Sequence, residues 1–208
     1  GCEWTIGTYD QDDASSRVPT YLGLTNGTLT IQTAYEAYTA RHSLYDGATL
    51  VIAPTVSNMY ESRWNASYVE WQSYAGSRLD LLPQKINYFQ GYYNVQAGAT
   101  MRLAAKTYTV MSSPWPNIYR NWGTMIVTNG WDFTGNDATV NVAGSTNKDS
   151  GKRLRDGNWA YMALDQLGGT MRMGGLFSNG GITDMPFYFS VGGGTLDVVD
   201  NTRFIGFN

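Results

Sequence analysis

The sequence predicts an all-β chain, an antiparallel β-sandwich or jelly-roll-like fold with at most one or two short helices. Three observations carry this expectation. Apolar residues recur at alternate positions in short runs, Gly, Asn and Asp punctuate those runs, and stretches of helical periodicity are scarce. At 208 residues the chain suits one β domain, 1–208, and its length suffices for a core without disulfides.

The elements follow in order. Residues 21–33 alternate around Asn26-Gly27, with Leu22, Leu24, Leu29 and Ile31 available for one face. Asn-Gly tolerates the positive φ of a type I′ turn, so a hairpin is expected there. Asp46-Gly47 precedes a buried strand over 48–53. Further strands are expected over 85–94, 100–111, 123–128, 138–142, 159–164, 170–176, 186–191, 195–199 and 202–207. Helical spacing is confined to 33–45, through Ala34, Ala37, Tyr38 and Arg41, and to 60–74, through Trp64, Tyr68 and Trp71. Trp64 and Trp71 then read as a core stripe. No repeat of solenoid period and no low-complexity linker is read.

Glycine density rises late in the chain, at Gly168-Gly169, Gly174-Gly175, Gly180-Gly181 and Gly192-Gly193-Gly194. Glycine within strands marks bulges, corners or close backbone approach. A threefold axis demands such approach, which motivates the expectation of a homotrimer.

Composition excludes several functions. Only 15% of residues are charged and the net charge is −3. The one basic run, Lys152, Arg153 and Arg155, reads as a solvated loop, so no phosphate-neutralising stripe and no nucleic-acid partner is expected. Neither an apolar stretch of membrane-spanning length nor a signal peptide is read. Cys2, the single cysteine, allows no internal disulfide; beside the N-terminus it suits a chain forming the C-terminal part of a longer protein.

Catalytic chemistry finds few carriers. His42 is the only histidine, and no Gly-x-Ser-x-Gly elbow accompanies it, so a Ser-His-Asp triad is not expected. One His and one Cys cannot complete a zinc shell. Asp10, Asp12 and Asp13 form an acidic turn that lacks the EF-hand Gly and Glu, and no metal is assigned to it. The glycine pairs lack a Walker lysine or a dinucleotide fingerprint, and no cofactor is expected. The enzymatic rival is a polysaccharide-degrading β-sandwich, which needs two carboxylates flanking one bond. Glu36, Glu61, Glu70, Asp46, Asp80 and Asp132 are available, without a diagnostic spacing.

What remains is a binding surface. Aromatics form 14% of the chain, including 15 Tyr and 7 Trp. Tyr with Ser, Gly and Asn supplies contact area and adaptable hydrogen bonds. The densest stretch runs from Pro114 through Trp115, Asn117, Tyr119, Arg120 and Trp122 to Trp131 and Asp132. Pro114 and Pro116 place Trp115 in a loop, where its face can stack on a sugar ring or anchor a protein contact. These seven residues, Trp115 to Asp132, are the expected ligand contacts; covering the core is an equal alternative for Trp115 and the preferred one for Trp122 and Trp131, which flank the strand-like 124–128.

In low charge, in Gly, Tyr, Trp and Asn content, and in the Gly-rich closing segment 192–208, the chain resembles the receptor-binding head of a viral or bacteriophage fibre or spike. The resemblance implies a non-enzymatic attachment domain at a virion surface or outside cells. Its partner would be a cell-surface glycan or protein receptor, and its assembly a homotrimer. A structural capsid or surface component is the third reading.

Overall fold

The computed structural model describes residues 2–10, 20–37, 40–61, 69–87, 91–105, 107–108, 117–132, 162–178, 187–199 and 201–205. Among them every element is a strand, and every strand pairing is parallel. The antiparallel sandwich is therefore corrected: the β content stands, the arrangement does not.

One coil illustrates the plan. Ala40–Leu44 (β4) forms the first face, a corner at Tyr45-Asp46-Gly47 turns the chain, Ala48–Ile52 (β5) forms the second, and Asn58–Glu61 (β6) the third. The next coil repeats it with Val69–Ser73 (β7), Arg78–Leu81 (β8) and Lys85–Asn87 (β9), each laid in register on its predecessor. Gly91–Val95 (β10), Thr100–Leu103 (β11) and Thr107–Tyr108 (β12) follow, then Asn117–Asn121 (β13), Thr124–Val127 (β14) and Gly130–Asp132 (β15). The last two coils are Met162–Gln166 (β16), Thr170–Met173 (β17) and Leu176–Ser178 (β18), then Phe187–Val191 (β19), Thr195–Val198 (β20) and Arg203–Ile205 (β21). At the start, Thr20–Leu24 (β2) opens the first face. Cys2–Asp10 (β1) and Gly27–Ala37 (β3) each run across the second and third faces and pair along their length. The fold is a parallel β-solenoid.

Alternation explains how these strands bury one side. β4, β5, β7 and β10 all place positions one, three and five inward. Because the stacking is in register, inward residues form columns along the axis. Leu29, Leu50, Leu79, Met101, Met125 and Met171 make one; Ile31, Ile52, Leu81, Leu103, Val127 and Met173 make its neighbour. On the first face the column is aromatic: His42, Trp71, Tyr93 and Tyr119, with Tyr93 stacked on Tyr119 at 4.3 Å and 6°. Burying each large side chain stabilises the fold by about 1.5–3 kcal/mol, and each stacked pair adds about 0.5–1.5 kcal/mol.

The corner between the first and second faces explains Gly168-Gly169 and Gly192-Gly193-Gly194, and the corner between the second and third faces explains Gly174-Gly175. Gly98, at φ 81°, occupies a backbone region that side chains rarely adopt. A Cβ at Gly169 would run into the carbonyls of Trp122 and Gly123 in the preceding coil. Gly169, Gly175 and Gly194 thus make their close approach to the preceding coil of the same chain, while Gly180 and Gly181 lie outside the described residues. Where the corner lacks an apolar filling, amides take over: Asn121 Nδ2 donates to Gln166 Oε1 at 2.7 Å, and Gln166 Nε2 donates to the Gly168 carbonyl at 2.7 Å. This satisfies two buried polar side chains inside the stack.

Several local expectations change. Asn26 does adopt φ 50°, yet it makes a corner: β2 and β3 lie in different sheets and do not form a hairpin. The helix over 33–45 is replaced by parts of β3 and by β4, with Tyr35 and Ala37 inward at strand period. The helix over 60–74 gives way to strand at both described ends, in β6 and β7. The expected strand over 138–142 lies outside the described residues.

A repeat is also present. A Gly or Ala, a threonine, then two apolar residues flanking a variable one recur as Gly27-Thr-Leu-Thr-Ile31, Ala48-Thr-Leu-Val-Ile52, Ala99-Thr-Met-Arg-Leu103, Gly123-Thr-Met-Ile-Val127, Gly169-Thr-Met-Arg-Met173 and Gly194-Thr-Leu-Asp-Val198. The coils differ in length, so the repeat has no constant period to find.

Candidate functional site

With one side of each strand committed to the core, function is left to the outward columns. On the first face, Tyr21, Arg41, Glu70, Tyr92 and Ile118 stand in register, and beside them Gly23, Ser43, Gln72, Asn94, Arg120, Asp165 and Ser190. The second column carries a hydrogen-bonding side chain at every position after Gly23. Next to it, at the corner, Tyr45, Tyr74, Gln96, Trp122 and Leu167 succeed one another, each backbone amide donating to a carbonyl of the coil before.

These columns enclose a groove of about 480 Å³ across β2, β4 and β7. Tyr45 and Tyr74 form one wall, their rings stacked at 5.1 Å and 2°, and each is about 40% exposed. Tyr21, 68% exposed, stands at the far end. The polar part is Arg41, Ser43, Glu70 and Gln72. Arg41 Nε donates to Glu70 Oε2 at 2.6 Å and Gln72 Nε2 donates to Glu70 Oε1 at 2.6 Å. The exposed ion pair contributes at most about 1 kcal/mol to stability; its larger effect is to hold three side chains in fixed positions with no net charge. Further along, Arg120 faces Asp165 at 3.9 Å, and Ser190 Oγ donates to Asp165 Oδ1 at 2.7 Å.

The expected ligand contacts divide. Arg120 and Trp122 do lie on this outer side, in the polar column and the corner column, beyond the groove along the axis. Tyr119 is buried, stacked on Tyr93, and faces the core. Asn117 opens β13. Trp131 and Asp132 lie in β15, on the third face, paired with Phe177 and Ser178 and apart from the groove. Trp115 lies outside the described residues. Sequence reading passed over Tyr21, Tyr45 and Tyr74; the signal for Tyr45 and Tyr74 was their place two residues before the corner glycines Gly47 and Gly76.

Other chemistry is distributed without convergence. His42 is fully buried, sharing a 2.5 Å hydrogen bond between Nε2 and the Tyr35 hydroxyl, and desolvation lowers its pKa to about 3. It holds the core and does not reach the surface. Outward alternation puts Glu70, Asp80 and Glu36 on three different faces, so these three do not pair across one bond. Among the described residues no cluster of three or more His, Cys, Asp or Glu is suited to a metal; Asp12 and Asp13 lie outside them. Among the described residues no helix is long and apolar enough to cross a membrane.

No family model, curated protein or solved structure matches the chain. The groove therefore rests on its own geometry.

Proposed function

We propose that the chain is a non-enzymatic attachment module, acting outside cells or on a virion surface, that binds a cell-surface glycan through the outer side of its first face. The observation that carries this reading is the groove, where a stacked tyrosine pair borders side chains fixed by the Arg41–Glu70–Gln72 network. Aromatic faces accept the C–H side of a sugar ring, while fixed amide, guanidinium and hydroxyl groups bond its hydroxyls. A stiff parallel stack suits display, since each coil rests only on its neighbours and the outward columns run the length of the rod.

The test is a glycan-array and whole-cell binding screen with labelled protein, accompanied by product analysis of each bound glycan. Tyr74→Ala is expected to weaken binding at least tenfold without altering the thermal midpoint by more than a few degrees. Full binding by this variant removes the groove from the attachment surface. Shortened sugar products would make the protein an enzyme.

A further inference from the structure

The outer column of the first face has one position without a side chain, Gly23. Every later position holds a polar side chain: Ser43, Gln72, Asn94, Arg120, Asp165 and Ser190. Backbone geometry does not require glycine there. Gly23 is not among the positive-φ residues, and among the described residues a Cβ added to it would meet only Tyr45 Cε2, at an ordinary contact distance of 3.9 Å. Other glycines of the fold differ in this respect, as Gly123 and Gly169 do, where a Cβ would strike neighbouring carbonyls. Glycine weakens a strand and supplies nothing to pack, and it commonly marks the place where something else approaches the backbone.

What it leaves is an open floor between Tyr21 and Tyr45, at one end of the groove. Tyr45 stacks on Tyr74, and its Cε2 edge lies 3.9 Å from where a Cβ on Gly23 would stand. Successive coils are separated by the strand spacing of about 4.8 Å. That increment is close to the advance of one pyranose along an extended glycan, so sugars on a chain parallel to the axis keep step with the coils. Among the described residues the groove is lined by one cation and one anion, Arg41 and Glu70, and they are paired with each other, a balance that favours an uncharged ligand.

Resting on the glycan-binding reading, we infer that the ligand is a linear, uncharged oligosaccharide lying along the solenoid axis. One ring seats on Gly23 against Tyr45, and the following sugars pass over Ser43 and Gln72. Gly23 is the residue that admits the terminal ring, and the ligand is read as a chain of about three units because the groove spans β2, β4 and β7.

The experiment measures binding of the full chain to cello-, malto- and manno-oligosaccharides of one to six units by calorimetry, in 50 and 500 mM NaCl, with sialylated and sulfated oligosaccharides as anionic probes. One neutral series is expected to gain at least tenfold in affinity from one to three units and to change less than twofold with salt. Gly23→Val, which fits the backbone and fills the floor, is expected to lose at least tenfold while keeping the wild-type thermal midpoint. Thr49→Val, on the second face, is expected to bind as wild type. Gly23→Ser, with a smaller side chain, should fall between. Wild-type binding that is independent of length, stronger for the anionic probes, or unaffected by a folded Gly23→Val overturns this inference and leaves the attachment reading standing. Absence of wild-type binding to every oligosaccharide overturns both.

Discussion

His42 is the residue whose behaviour follows most directly from its surroundings. It sits in the aromatic column, 4.5 Å from the Trp71 ring centroid, with Tyr9 and Tyr35 also against it. Burial without a charged partner lowers its pKa from 6.5 to about 3. The unfolded chain therefore takes up a proton near pH 6.5, which the folded chain refuses until about pH 3. Stability tied to His42 is complete above pH 6.5 and is lost as the pH falls, at roughly 1.4 kcal/mol per pH unit between those limits. Urea denaturation at pH 7.5 and pH 4.5 is expected to expose this slope, and His42→Phe should flatten it by the equivalent of one proton. An unchanged slope in that variant would mean that His42 is not the group being titrated. The sequence left a lone histidine without triad partners as either a surface or a structural residue, and burial decides for the structural one. Its partner Tyr35 was not legible, because that residue was read on a helix.

At the scale of the element, the corners matter more than the strands. Thr124–Val127 would alternate in any sheet; what commits it to a solenoid is Gly123, which lets the coil below pass close. A Cβ at Gly123 would lie against the carbonyl oxygens of Gln96 and Ala99, both backbone and unable to swing aside. Gly123→Ala is thus expected to destabilise the fold by more than about 2 kcal/mol, read as a fall in the urea midpoint. Gly23→Val, in a strand with room, should not. A similar midpoint for the two variants would show that backbone crowding does not set the tolerance of this corner. The same scale explains the hairpin that failed to form. Asn26 has the left-handed backbone its identity suggested, but the turn it makes directs β3 onto the second face instead of back along β2. Turn chemistry reports a change of direction and leaves open which strand becomes the partner.

For the whole molecule, stability is a sum over coils and the contacts between neighbours. The central coils bury their inward residues completely, whereas the last one does not. Phe204 is 46% exposed although the Phe177 ring on which it stacks is 1% exposed. Hydrogen exchange is expected to follow this gradient, with amides of β8 and β11 protected at least tenfold longer than those of β20 and β21. Uniform protection along the rod would indicate that the coils unfold as one unit. The pairing of distant segments, such as β14 with β17, also makes contacts non-local, so slow refolding is expected.

The sequence by itself determined the period-two strands, the glycine-bearing turns and a surface rich in tyrosine and uncharged polar groups. Each of these depends on neighbours along the chain: side chains alternate across a pleat, and glycine admits positive φ, whatever the strand pairs with. Only the tertiary structure decided that the strands are parallel, that Tyr119 packs inward while Arg120 points out, and that Tyr21, Tyr45 and Tyr74 border one groove. Parallel and antiparallel strands share the same alternation, so the choice between them lies in hydrogen bonds to residues a full coil away. Unequal coil lengths hid those partners from any fixed period, and the groove exists only where three coils stack.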